Sequence, residues 1–216
     1  MINDSNNSLW MKRLRNYAGL LGGLLPFLSL LSAVIYSNTH YVPTEFWIKL
    51  SISDTYYVSP ALTGILTAAS IILMCYAGYN KIDNIITTLS GLFGIMIVIF
   101  PCNGPMAESY VGFFQLPVKV SHVIHCISAL VFFTLLAVNS MFLFTKHNGV
   151  MSDRKQIRNI IYIICGSLMC SCALCLMIPI KFNAKVWWLE MISLIAFAIS
   201  WLTKGEAFPF LNDKDK

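Results

Sequence analysis

Charged residues are scarce in this 216-residue sequence. Lysine, arginine, aspartate and glutamate together make up 12% of the chain, about half the share that soluble globular domains carry. Hydrophobic residues reach 57%, and the mean hydropathy is +0.69. The deficit of charge excludes an ordinary soluble domain and favours a protein that lies in a lipid bilayer.

Several sequence patterns of soluble enzymes and nucleic-acid-binding proteins are also missing. We find no glycine-rich phosphate-binding loop and no nucleophile elbow. The net charge of +5 does not indicate a nucleic-acid partner, because the basic residues lie between apolar runs instead of forming one surface. We therefore expect membrane lipids as partners and no nucleic acid, with a homo-oligomer left open.

The seven cysteines do not form the pattern of a disulfide scaffold. Only Cys102 falls in a predicted loop, and no other loop cysteine is available to pair with it. Inside apolar runs cysteine acts as a small hydrophobic residue, so we assign the others to helix packing. Those residues are Cys75, Cys126, Cys165, Cys170, Cys172 and Cys175.

Six apolar segments approach the roughly 20 residues that a helix needs to cross a hydrocarbon core about 30 Å thick. The first follows Lys12, Arg13 and Arg15, as a signal peptide would, but its apolar run is too long and no cleavage site follows. We predict that it is retained. The six segments are Tyr17–Tyr36, Pro60–Tyr79, Ile85–Phe100, Val120–Phe144, Ile157–Ile180 and Val186–Thr203.

The loops between these segments carry an uneven distribution of basic residues. Eleven lysines and arginines fall on the side of the termini, and four fall on the other side. By the positive-inside rule, both termini are predicted to be cytoplasmic. The expected fold is an all-α, six-transmembrane-helix bundle of the inner cell membrane. It has a cytoplasmic N-terminal tail (1–16), a transmembrane domain (17–204) and a cytoplasmic C-terminal tail (205–216).

Small residues recur at helical spacing within the apolar segments. Gly19 is followed by Gly23, Gly64 by Ala68, and Gly91 by Gly94. Such faces let helices approach closely in lipid, so we interpret them as packing surfaces.

Polar residues inside two of the apolar segments form the main functional signal. At about 100° per residue they fall on one helix face, which is therefore expected to face the bundle interior. In the fourth segment they are Ser121, His122, His125, Ser128 and Asn139. In the sixth segment they are Glu190, Ser193, Ser200 and Lys204, with Trp201 beside them.

Asp54 lies just before the second segment, on the same predicted external side as His122, His125 and Glu190. We predict a polar pocket at the external leaflet, with Asp54, His125 and Glu190 as its catalytic or central binding groups. The remaining predicted binding residues are Ser53, Tyr56, Tyr57, Ser121, Ser128, Ser193, Ser200, Trp201 and Lys204.

Each polar residue also has a purely structural interpretation. His122 would then lie in the interfacial layer, and Asp54 would cap a turn. Glu190 would pair with Lys119 or Lys185. Because an ionisable group inside a membrane helix is costly, His125 and Glu190 together favour function.

Three functions fit this predicted pocket. The leading hypothesis is a protein that binds a lipid or a small molecule. The enzyme alternative is a metal-dependent hydrolase of a lipid ester or amide, in which His122, His125, Glu190 and Asp54 bind zinc. The third is proton-coupled transport, with Glu190 as a proton relay.

Several short motifs resemble one family. They are Ser-Asp-Thr-Tyr-Tyr at 53–57, Phe-Pro at 100–101, His125, and Trp-Leu-Glu at 188–190. The most distinctive is Ser-Trp-Leu-Thr-Lys-Gly at 200–205. Over roughly 51–207 the chain resembles the small six-helix prokaryotic membrane proteins grouped as a domain of unknown function. That resemblance implies the topology and the position of a site, but no reaction.

A more distant likeness is to membrane hydrolases of the alkaline ceramidase and adiponectin receptor type, which hold zinc with three histidines. It would imply hydrolysis at His122 and His125. The sequence departs from that pattern, with six segments instead of seven, H-x-x-H spacing and no well-placed third histidine.

Overall fold

The structure, a computed structural model, describes residues 2–41, 43, 51–78, 80–147, 151–178 and 185–213. Within these ranges the regular secondary structure is helical apart from one short hairpin, which confirms the predicted all-α class. The six α-helices of the described ranges are α1 (Ile2–His40), α2 (Pro60–Cys75), α3 (Lys81–Ile99), α4 (Val118–Val138), α5 (Asp153–Met177) and α6 (Lys185–Lys204).

Four shorter elements lie between or beside these helices. A 3-10 helix at Ser53–Tyr57 precedes α2, and a π-helical turn at Asn139–Leu143 continues α4. A two-stranded antiparallel hairpin, β1 (Tyr110–Val111) and β2 (Leu116–Pro117), connects α3 to α4. A second 3-10 helix, Pro209–Leu211, follows α6.

The helices pack as a closed ring in chain order. Each contacts the next from α1 to α6, and α1 completes the ring against α6. Large side chains fill its interior, among them Trp201, Leu136, Leu73 and Met169. Buried hydroxyls such as Ser140 and Ser200, which lie 2.6 Å apart, are also inside the ring.

The outer faces of the helices are apolar. Ile71 of α2, Ile127 of α4 and Ile163 of α5 are each about half exposed, whereas Asn139 and Ser128 are buried. This distribution is the reverse of that in a soluble protein. Five helices (all except α2) are long and apolar enough to cross a membrane, which indicates a membrane protein.

The second helix is shorter than the sequence predicts. It has 16 residues and ends at Cys75, so its axis is about 24 Å long, less than the hydrocarbon core. The following residues are extended because Gly78 N–H donates to Asn84 Oδ1 (2.6 Å) and Tyr76 OH accepts from Arg15 Nε (3.1 Å). The predicted end at Tyr79 lies outside the described residues.

Helices α3 and α5 begin earlier than their apolar segments do, because polar residues cap them. Asn80 Oδ1 accepts from Asp83 N–H at the start of α3, and Ser152 Oγ accepts from Lys155 N–H at the start of α5. Ser59 caps α2, and α1 continues through the predicted N-terminal tail. Five residues used in the topology prediction lie outside the described ranges: Lys49, Ile180, Lys181, Lys214 and Lys216.

Most of the predicted small-residue faces lie at helix contacts. A Cβ atom on Gly19 would approach Ala198 O of α6 within 3.1 Å, and one on Gly91 would approach Ser70 O of α2 within 2.4 Å. Gly23 and Gly94 are also close to a neighbouring helix. Gly64 is the exception, because a Cβ there would meet no atom within 4 Å.

Candidate functional site

A cavity of about 620 Å³ opens at one end of the helical ring. Its wall combines the segment before α2, the loop after α3, α4 from His122 to Phe133, the end of α5 and the start of α6. Asp54, His122, His125 and Glu190 all line it, together with Ser53. These side chains, which the sequence places on one predicted side of the membrane, thus line the same cavity.

Glu190 attaches α6 to the segment that precedes α2. Its Oε2 accepts the N–H of Ile52 at 2.7 Å, and its Oε1 accepts the hydroxyl of Ser53 at 3.2 Å. These contacts take the place of the predicted alternative, an ion pair with Lys119 or Lys185. A carboxylate that accepts a main-chain N–H forms a charge-assisted hydrogen bond, which fixes both Glu190 and this segment.

Asp54 caps the turn in which it lies, as its structural interpretation predicts. Its Oδ2 accepts from the Ser51 N–H (2.8 Å) and the Ser51 hydroxyl (2.7 Å). Its Oδ1 lies 3.5 Å from Cys102 Sγ, close enough to accept from the thiol. Burial and then the charge of Asp54 raise the pKa of the Cys102 thiol, which keeps it a neutral donor.

The two histidines bind the loop that follows α3. His125 Nδ1 lies 2.9 Å from the Phe100 carbonyl oxygen, and His122 Nδ1 accepts the Asn103 N–H at 3.1 Å. Because a carbonyl only accepts, Nδ1 of His125 carries the proton. In the neutral rings, His125 then offers an acceptor at Nε2 and His122 offers a donor at Nε2.

Two further predicted residues hold the same loop from outside the cavity. Ser121 Oγ donates to the Pro101 carbonyl (2.8 Å), and Tyr57 OH donates to the Cys102 carbonyl (2.5 Å). Burial, followed by the neighbouring Cys102, raises the pKa of the Tyr57 phenol. Tyr56 packs against the core beside it. These residues position the cavity wall and do not line it.

The remaining predicted binding residues lie deeper in the bundle. Ser128 and Ser193 are buried, and Ser200 contacts Ser140. Trp201 is enclosed by aromatic rings, including that of Phe144 at 5.3 Å between centroids. Lys204 lies at the opposite end of α6, about 20 Å along the helix from Glu190 at 1.5 Å per residue. These five side chains do not line the cavity.

The predicted zinc set is not assembled. Among the described residues, no three histidine, cysteine, aspartate or glutamate side chains are placed to hold one metal ion. The reason lies in the contacts above: Asp54 points at Ser51, Glu190 at Ile52, and His125 at Phe100.

Several wall residues were not predicted from the sequence. Cys102 and Asn103 had one signal, since Cys102 is the cysteine outside the apolar runs. The apolar wall residues had no sequence signal, because the sequence does not distinguish them from other lipid-facing or core residues. They are Ile127, Ala129, Leu130, Phe133, Ala173, Leu176, Met177 and Val186.

The helical ring, its apolar outer surface and the cavity at one end indicate the class: a multi-helix membrane protein with a ligand-sized cavity. No family model matches the chain, and neither a curated protein nor a solved structure matches it. The resemblance to the six-helix family of unknown function stays a prediction.

Proposed function

We propose that the chain is a six-span protein of the inner cell membrane with both termini in the cytoplasm. Its cavity at the external leaflet binds an amphiphilic molecule, either a lipid or a small lipid-like compound. One observation carries this proposal: a single cavity has a polar end and an apolar wall. Its volume of about 620 Å³ falls within the range of small-molecule sites.

The polar end favours a particular kind of head group. Asp54 and Glu190 contribute carboxylate oxygens, which only accept hydrogen bonds when ionised. In a site with little water, two carboxylates attract a cation more strongly than they would in bulk solvent. We therefore infer a head group that carries an amine or donates several hydrogen bonds.

The apolar wall supports entry of a ligand tail from the bilayer. Ile127 is 55% exposed and Met177 is 66% exposed, yet both also line the cavity. Side chains that belong to the cavity wall and to the outer surface mark a lateral opening between α4 and α5. A hydrocarbon chain in that opening would remain in contact with lipid.

Hydrolysis and proton-coupled transport rank below binding. The zinc hypothesis needs three convergent ligands, and the described side chains do not supply them. Transport through Glu190 needs a carboxylate that can release its neighbours, whereas Glu190 holds Ile52 and Ser53.

The test is the lipid content of the purified protein. We expect about one molecule of an enriched amphiphile per chain in mild detergent, measured by mass spectrometry of solvent extracts. Glu190→Gln should lower that content several-fold because it removes the charge at the polar end. Ala129→Phe should lower it too, because the larger side chain fills the cavity.

Glu108→Gln is the matched control. It makes the same chemical change at an exposed residue that lines neither cavity, and should leave the amphiphile content unchanged. Equal lipid content in all four proteins would refute the proposal, as would equal loss in the control. Zinc at about one ion per chain, lost in His125→Ala, would establish the hydrolase model instead.

A further inference from the structure

A second cavity, of about 330 Å³, lies at the opposite end of the bundle. It is enclosed by α1, the end of α4, α5, α6 and the segment that follows α6. Its wall is strongly basic. The cationic residues in the wall are Lys12, Arg15, Lys146, Lys155, Arg158 and Lys204.

Acidic residues balance only part of this charge. Glu206 and Asp213 are in the wall, where Glu206 pairs with Lys12 (2.6 Å) and Asp213 pairs with Arg158 (2.8 Å). Asp83 pairs with Lys146 from behind the wall, at 2.6 Å. Among the described residues, six cations therefore face three carboxylates, and the cavity keeps a positive excess.

Two of the cationic side chains contact the same main-chain oxygen. Lys155 and Lys204 are only 5% and 8% exposed, and both donate to the carbonyl oxygen of Phe144, at 3.0 and 3.2 Å. A cation at a helix C-terminus is favourable, but two ammonium groups on one neutral oxygen repel each other. An anion beside them would offset that repulsion.

An unsatisfied hydroxyl lies in the same wall. Thr203 is 2% exposed, and within the part of the chain that the structure describes its Oγ1 has no hydrogen-bond partner. A buried polar atom without a partner costs about 1–3 kcal/mol. A ligand oxygen in the cavity would accept from this hydroxyl and remove that cost.

We propose that this cavity binds a phosphate-bearing anion, supplied either by an anionic phospholipid head group or by a soluble phosphate compound. Phosphate has the charge and the several acceptor oxygens that converging lysines and arginines recognise. The cavity volume is sufficient for one or two phosphate groups and falls at the low end of ligand sites. This cavity is separate from the amphiphile cavity, and the two share no wall residue.

The first experiment titrates the full-length protein in a neutral detergent with inorganic pyrophosphate by calorimetry. Lys12→Gln and Arg158→Gln each remove one cation from the wall and should each raise the Kd about tenfold. Arg13→Gln is the matched control, because Arg13 is exposed, follows Lys12 in α1 and lies outside the wall. Its Kd should change less than about twofold. Melting temperatures check that all variants are folded.

The second experiment identifies the source of the phosphate. The protein is placed in nanodiscs of phosphatidylcholine with a minor share of phosphatidylglycerol, and retained lipids are measured by native mass spectrometry. Retention of phosphatidylglycerol, lost in Lys12→Gln and Arg158→Gln, assigns a lipid head group. Pyrophosphate binding without such retention assigns a soluble compound. Binding of neither probe, or equal weakening in Arg13→Gln, would overturn the proposal.

Discussion

Individual polar side chains in this bundle act largely on main-chain groups outside the helices. Glu190 satisfies an N–H before α2, His125 a carbonyl after α3, and Lys155 a carbonyl after α4. A bilayer offers no water to satisfy such groups, so irregular backbone at membrane depth needs partners from the protein. Ionisable residues are costly inside a membrane, and these satisfy main-chain groups of the loops. The loops that they hold then complete the walls of the cavities.

Cys102 allows a prediction at this scale. Because burial and Asp54 raise the pKa of its thiol, the reactive thiolate forms only at a pH above that of an ordinary cysteine. At pH 8 we expect alkylation of Cys102 by N-ethylmaleimide to be at least about tenfold slower in the folded protein than in detergent-denatured protein. Peptide mass spectrometry separates Cys102 from the other six cysteines.

Asp54→Asn provides the comparison for this experiment. Removing the carboxylate charge lowers the pKa of the thiol, so alkylation of Cys102 should become faster while burial keeps it below the denatured rate. A rate in the folded wild type equal to that in the denatured protein would show that the thiol is not held between Asp54 and the buried wall.

The site residues on helices could be predicted, whereas the contacts of the loops could not. Helical periodicity brings Ser121, His125 and Ser128 to one face without knowledge of the fold, and these residues are buried. The partners of Glu190 are main-chain and hydroxyl groups of the 51–53 segment, which has no periodicity to indicate its path. The rise of 1.5 Å per residue separates Lys204 from Glu190 by about 20 Å, so the sequence already predicts that Lys204 lies at the cytoplasmic end.

At the scale of elements, small residues set how closely the helices approach. The contact between α2 and α3 depends on Gly91, where a Cβ atom would lie 2.4 Å from Ser70 O and 2.4 Å from Met74 Cγ. A backbone oxygen that close to an added Cβ atom can be accommodated only if α2 and α3 move apart. Such separation would also disturb the loops at both ends of the pair.

We predict that Gly91→Ala destabilises the protein by about 1–3 kcal/mol, the typical cost of overpacking. The measurement is the thermal unfolding midpoint in mild detergent, and a decrease of several degrees is expected. Gly64→Ala serves as the control, because the same added methyl group meets nothing within 4 Å and α-helices favour alanine over glycine. Equal midpoints for the two variants would contradict the proposed role of Gly91.

The end of α2 could not be predicted from the sequence of that helix alone. The predicted segment continues through Tyr76 and Ala77, past the end of the helix at Cys75. The residue that follows the helix is held by partners distant in sequence. Arg15 of α1 bonds the Tyr76 hydroxyl, and the Tyr76 ring packs edge-on against Trp201 of α6.

For the whole molecule, the closure of the ring determines where the two terminal helices meet. Lys12 near the start of α1 pairs with Glu206 just after α6 at 2.6 Å, and Arg15 Nη1 lies 3.4 Å from Lys204 O. The N-terminal part of α1 and the C-terminal end of α6 therefore lie at the same end of the bundle. That arrangement agrees with an even number of membrane crossings.

We predict that both termini of the chain lie in the cytoplasm, because eleven of the fifteen lysines and arginines fall on their side of the six segments. A fluorescent protein fused after Lys216 should fluoresce in cells, whereas alkaline phosphatase at that position should be inactive. Alkaline phosphatase fused after Gln115, in the hairpin between α3 and α4, should be active because it would be exported.

An N-terminal epitope tag should resist protease added to intact spheroplasts and become sensitive after lysis. Opposite results for the two termini would require an odd number of crossings, with the short α2 failing to span the bilayer.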